Sequence, residues 1–80
     1  MALKLLFFAQ CAHWVKRREM LLTIANPSNL LTIIENTPEL KPILEQRRFL
    51  QVAINQEFSR FNTEVKEGDE IAFLPPVSGG

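Results

Sequence analysis

The stretch G68-D-E-I-A-F-L-P-P-V-S-G-G80 decides how the rest of the chain is read. Glu67-Gly68-Asp69 has the composition of a tight turn, with a glycine where positive φ is needed. Glu70 to Leu74 then reads as a short strand. Pro75 and Pro76 cannot extend a sheet, because they lack backbone donors and hold φ in the extended range. Val77 and Ser78 are small, and Gly79 and Gly80 carry no side chain. The six residues from Pro75 to Gly80 span at most roughly 20 Å. Such an arm is thin enough to thread a narrow channel and carry the Gly80 carboxylate into another protein. That carboxylate is ionised near neutral pH, its reference pKa being about 3.3–3.7. It has the chemistry to attack a nucleotide's α-phosphate and form an acyl-adenylate. The competing reading is a frayed terminus without chemistry.

The totals frame these two readings. Eighty residues are expected to make one domain, 1–80, with 75–80 as its extended tail. Apolar residues make up 46% and charged residues 22%, an ordinary globular composition. Nine acids balance nine bases, so no basic excess points to nucleic acid. One cysteine, Cys11, cannot form an internal disulfide. The apolar run from Leu5 to Ala9 lacks a signal-peptide cleavage pattern, and no segment approaches the roughly 18 apolar residues of a membrane span. The expectation is a cytoplasmic protein with no membrane partner.

Leu3 to Ala9 reads as a strand with Leu3, Leu5, Phe7 and Ala9 on one face, and Lys4, Leu6, Phe8 and Gln10 on the other. Gln10 to Val15 reads as a helical turn with Trp14 and Val15 packing inward. Lys16 to Glu19 is a charged link, and Met20 to Ile24 a second strand pairing with the first. Asn26-Pro27-Ser28 punctuates, and Ser28 or Asn29 can cap a helix. Leu30, Leu31, Ile33 and Ile34 give that helix one apolar face, and it should stop near Asn36, before Pro38. Pro38 and Pro42 make the next piece irregular, with Leu40, Ile43 and Leu44 available to the core from a short helical turn. Phe49 to Ile54 is a third strand, Asn55-Gln56-Glu57 a turn, and Phe58 to Phe61 a short strand. The resulting fold class is α+β. A mixed sheet carries one main helix across it, as in β-grasp (ubiquitin-like) domains.

Candidate chemistry within the chain is sparse. Cys11-x-His13 is read as structural or incidental, because a zinc site needs more ligands and the chain has no other Cys or His. Adjacent strand residues such as Asp69 and Glu70 point to opposite faces and cannot converge on one substrate. Glycine is too scarce for a phosphate loop. No metal or cofactor site is expected in this chain. Phe8, Phe58 and Leu74 each share a strand face with polar residues. Strand spacing alone is equally compatible with a core role and with an exposed apolar patch of the kind that marks partner sites.

The tail GDEIAFLPPVSGG, the opening KLLFFAQ (Lys4 to Gln10) and VAINQEF (Val52 to Phe58) resemble the molybdopterin synthase small subunits. These are sulfur carriers with a ubiquitin-like β-grasp fold. The Pro-Pro-Val-Ser-Gly-Gly ending is the specific part. Ala12 to Arg48 supports the resemblance only by length and pattern. The resemblance implies that a ubiquitin-activating-like adenylating enzyme uses ATP to activate Gly80, which then becomes a thiocarboxylate. It implies insertion of the tail into the large synthase subunit, in a heterotetramer, and sulfur delivery to cyclic pyranopterin monophosphate to build the dithiolene. By position, Gly80 carries the sulfur and Gly79 gives clearance. Phe8, Phe58 and Leu74, followed by Pro75, Pro76, Val77 and Ser78, match the docking surface and tail. Two departures bear on partner affinity: Leu74 stands where phenylalanine is frequent, and Phe58 where an aliphatic residue is frequent. The alternatives are a sulfur carrier for thiamine or transfer-RNA thiolation, a ubiquitin-like protein modifier, and an interaction module whose tail carries no chemistry.

Overall fold

Alternating apolar residues organise the first strand, β1 (Ala2–Phe7), in which Leu3, Leu5 and Phe7 are buried. In this computed structural model, residues 2–76 are described. The chain continues through α1 (Gln10–Val15) into β2 (Glu19–Thr23), which returns antiparallel along β1. Two short helices follow, α2 (Leu30–Glu35) and α3 (Lys41–Gln46), preceded by a two-residue strand β3 (Ser28–Asn29). Then come β4 (Gln51–Ile54), β5 (Glu57–Ser59), β6 (Glu64–Val65) and β7 (Glu70–Leu74). The main sheet has five strands in the order β2-β1-β7-β4-β5, and β3 and β6 form a separate pair. β7 lies parallel to β1 and antiparallel to β4, so the sheet is mixed.

The helices cover one face. Leu30, Ile33 and Ile34 of α2 and Ile43 of α3 join Leu3, Leu5, Phe7, Val52, Ile71 and Phe73 of the sheet in one core. The Phe73 ring stacks on Phe7, with centroids 5.6 Å apart, and on Phe61 at 6.1 Å. Burying side chains of this size contributes about 1.5–3 kcal/mol each before chain entropy is counted. Asn29 is the helix cap: its side-chain oxygen accepts from the Leu31 N–H at 2.8 Å. Its amide also donates to the Asn62 carbonyl at 2.9 Å, tying α2 to the segment before β6.

The main helix stops where expected, before Pro38, and the segment expected to be irregular is a 3₁₀ turn, Pro38–Leu40, followed by α3. Thr37, which precedes Pro38, takes extended angles (φ −117°, ψ 99°) and ends α2. Its buried hydroxyl donates back to the Ile33 carbonyl at 2.7 Å. Two aromatic assignments need correction. Trp14 does not pack inward with Val15; it is exposed, because successive helix positions point about 100° apart and Cys11 and Val15 take the buried side. Phe49 does not begin a strand. It closes a 3₁₀ turn, Arg47–Phe49, and stands exposed with the Arg48 guanidinium 5.7 Å from its ring centre. The fourth predicted strand runs Glu57–Ser59 and stops short of Phe61, whose ring turns in against Phe73.

Candidate functional site: an apolar sheet face at the tail exit

The sheet's second face carries no helix layer, yet it is apolar. Register places Leu6, Ala72, Ala53 and Phe58 side by side in one row across β1, β7, β4 and β5. The next row toward the tail begins with Phe8, whose N–H bonds the Phe73 carbonyl at 3.0 Å, so β1's alternation continues and Phe8 follows Leu6 on this face. Leu74 stands beside it, opposite Gln51. Phe8 is 48% exposed and Phe58 68% exposed, while Leu6, Ala72 and Leu74 are half-buried. The three residues singled out from the sequence therefore share one surface, and the patch reading holds over the core reading.

Two turns with positive φ shape this surface. Asn55 (φ 52°) and Gln56 (φ 71°) form the two-residue connection between β4 and β5, with Ile54 paired to Glu57. Two successive positive φ values are the signature of a type I′ hairpin, whose twist matches the sheet. The hairpin sets Phe58 opposite Ala53. At the other end of the face, Ala9 (φ 51°) turns the chain out of β1 into α1.

A buried carboxylate braces the hairpin from below. Asp69 accepts from the Asn55 amide and from the Lys66 N–H, both at 2.9 Å, with the Lys66 ammonium at 3.5 Å. The Asn55 side-chain oxygen accepts from the Glu70 N–H at 3.0 Å, and the Asn55 N–H donates to the Glu70 carbonyl at 2.7 Å. Desolvation raises the Asp69 pKa, but the Asn55 and Lys66 hydrogen bonds and the Lys66 charge outweigh it and hold the carboxyl below its ordinary value. Asp69 is thus a structural brace in the Gly68 turn (φ 86°), in keeping with its expected turn role.

The Cys11-x-His13 pair does not assemble a site. Cys11 is fully buried and burial pushes its thiol pKa up, while His13 is exposed. Among the described residues no group of three or more His, Cys, Asp or Glu could hold a metal ion. No helix among them is long and apolar enough to cross a membrane. Sequence reading missed Gln51, whose buried side-chain oxygen has no hydrogen-bond partner among the described residues. It lies at a recess of about 470 Å³ lined also by Leu50, Phe58 and Phe61. Pro75 is half-buried and Pro76 exposed as the chain leaves β7. Val77, Ser78, Gly79 and Gly80, the remaining tail positions of interest, lie outside the described residues.

A five-stranded mixed sheet with helices on one face, and an apolar face at the end where the last strand exits, defines a ubiquitin-like β-grasp domain. The ThiS family model matches residues 5–80, and the chain belongs to that family. Curated relatives are molybdopterin synthase sulfur carrier subunits. The one from Caenorhabditis elegans is 32% identical over 87 residues, 99% of this chain and 98% of that protein. The one from Haemophilus influenzae is 57% identical over 37 residues, a match spanning 46% of this chain and 44% of that protein. The fold is that of SAMP1 from Haloferax volcanii (TM-score 0.78, 24% identity, all of both chains). It is also similar to a chain in the complex of subunits 1 and 2 of the molybdopterin-converting factor from Helicobacter pylori (TM-score 0.66, 28% identity, all of both chains).

Proposed function

We propose that this chain is the sulfur-carrying, non-catalytic subunit of a molybdopterin synthase. The observation that supports this most is a family match running through the Gly-Gly tail, on a domain whose apolar face ends where that tail departs. In this reading the outer face docks on a partner while the arm from Pro75 onward reaches into it. The Gly80 carboxylate attacks the α-phosphorus of ATP in an adenylating partner, and pyrophosphate leaves. Sulfide, as HS⁻, then attacks the acyl carbon, the acyl–phosphate C–O bond breaks, AMP leaves, and a thiocarboxylate remains. The large synthase subunit, in a heterotetramer with two copies of this chain, receives the arm. Sulfur passes there to cyclic pyranopterin monophosphate. This chain's own contribution is presentation: a rigid sheet, a docking face, and an acyl carbon at the end of a thin arm.

Intact mass spectrometry tests the reading directly. After co-expression with the adenylating enzyme and a sulfur source, the chain should gain the oxygen-to-sulfur mass increment at its C-terminus. Deleting Gly80 should abolish the gain completely while leaving folding and docking intact. A wild-type chain that never gains the increment sinks the proposal. Conjugates to lysines of other proteins would redirect it toward a modifier.

A further inference from the structure

The chain's neutrality conceals a separation of charge along the sheet. β1 and β7 run parallel toward the tail end, where Phe7 pairs with Phe73. β2 begins at that end, with the Arg18 carbonyl accepting from the Phe7 N–H at 2.9 Å. β4 also begins there, with Gln51 opposite Leu74, and β5 ends there, with Ser59 opposite Val52. The topology therefore gathers Lys16, Arg17, Arg18, Arg47, Arg48 and Arg60 around the tail exit, six of the nine Lys and Arg residues. All six are exposed, and none forms an ion pair among the described residues. Counted the same way, two acids stand at this end: Glu19, opposite Leu6, and Glu45, two residues before Arg47. Acids collect at the far end instead: Glu57 follows the hairpin, and Glu67, Asp69 and Glu70 surround the turn beside Ala2 and Lys4.

The cations also adjoin the apolar face. An open groove of about 820 Å³ is lined by Leu6, Phe8 and Ala12 together with Lys16, Arg17, Arg18 and one acid, Glu19. We propose that this end is a cationic docking rim, which steers the tail into an opening ringed by carboxylates on the adenylating enzyme. The proposal rests on the functional reading above and adds the chemistry of one partner surface. Charge complementarity selects that partner. In the proposed function the acceptor carries a phosphate, and cations placed on a partner to bind that phosphate would repel a cationic rim. ATP brings magnesium on its phosphates, which leaves the surrounding protein surface free to be acidic. Carrier and enzyme must also meet anew for each sulfur delivered, and charge complementarity acts mainly on association rate.

Stopped-flow association with the cognate adenylating enzyme, across a range of salt, tests the rim. The wild-type rate should fall steeply as salt rises. K16E/R17E/R18E should slow association roughly tenfold or more at low salt and flatten or invert the salt dependence. At high salt the two curves should converge. The far-end reversal E57K/E67K should not slow association. A K16Q/R17Q/R18Q variant, expected to lie between, carries the test if the reversed variant fails to fold. Unchanged rates and salt profile overturn the rim, as does an effect confined to the large synthase subunit. Intact mass separates the two proposals. A chain that binds the enzyme but never gains sulfur removes the functional reading, while the salt profile still decides the rim.

Discussion

The sheet's two faces are built from the same strands, and both are apolar. On the inner face Leu5, Ile71 and Phe73 are covered by helices; on the outer face Leu6, Ala72 and Phe8 are not. Hydrophobicity alone therefore does not separate core from surface here. The separation comes from the helix layer, which sits on one side only. An apolar row kept beside solvent gains nothing for folding from its exposed area. In the proposed function that row serves association, which gives the two faces opposite expected responses to truncation.

The largest expected effect is on the inner face. Phe73→Ala removes a fully buried ring that stacks on both Phe7 and Phe61. It should cost about 3–5 kcal/mol in urea unfolding, most or all of what a domain this small has to lose. A cost below about 1 kcal/mol would mean that the inner face is not the core.

Between the faces stands the hairpin brace. Asp69→Asn keeps the shape but removes the charge that the Asn55 amide, Lys66 N–H and Lys66 ammonium favour. A loss of about 1–3 kcal/mol is expected at neutral pH. The sign of the pH dependence follows from the depressed pKa. Stability from this group is fully present above the unfolded carboxylate pKa of about 3.9 and disappears as pH falls through the lower folded value. The wild type's advantage over the variant should therefore shrink as pH falls below about 4 and vanish only once pH is under the folded value. Chemical unfolding at a series of pH values checks this. An advantage that persists in acid would separate the brace from the Asp69 charge.

Much of this architecture was legible in the chain. Period-two alternation placed Leu3, Leu5 and Phe7 against Leu6 and Phe8, and Asn55-Gln56 marked the hairpin. Ser28 or Asn29 and the Thr37-Pro38 step bounded α2. What escaped depended on packing between distant segments. Trp14 and Phe49 looked like core by residue type, yet their positions on a helix and in a 3₁₀ turn point them outward. The β3–β6 pair joins segments too short to show any period. The buried, unpartnered side-chain oxygen of Gln51 shows only once register sets that residue opposite Leu74. The charge separation was invisible for a different reason. A total of nine against nine says nothing about ends, and only strand order and direction bring Arg47, Arg60 and Arg17 together.

The smallest effect on folding, and the sharpest test of the two faces, belongs to the outer row. Phe58 is more than two-thirds exposed on the edge strand β5, so Phe58→Ala should change stability by no more than about 0.5 kcal/mol. Phe8, half-exposed, should lose at most about 1 kcal/mol, since only part of its apolar area leaves water on folding. Binding should respond in the opposite order of magnitude. Each truncation should weaken capture of the large synthase subunit by roughly tenfold or more, as expected for an aromatic anchor at an interface centre. Calorimetric titration beside urea unfolding reads both quantities on the same protein. If Phe8→Ala unfolds the domain as Phe73→Ala does, the outer face is core after all. If both outer truncations leave binding untouched, the apolar row is not the docking surface for the large subunit, and the tail and the rest of the domain surface must carry that contact.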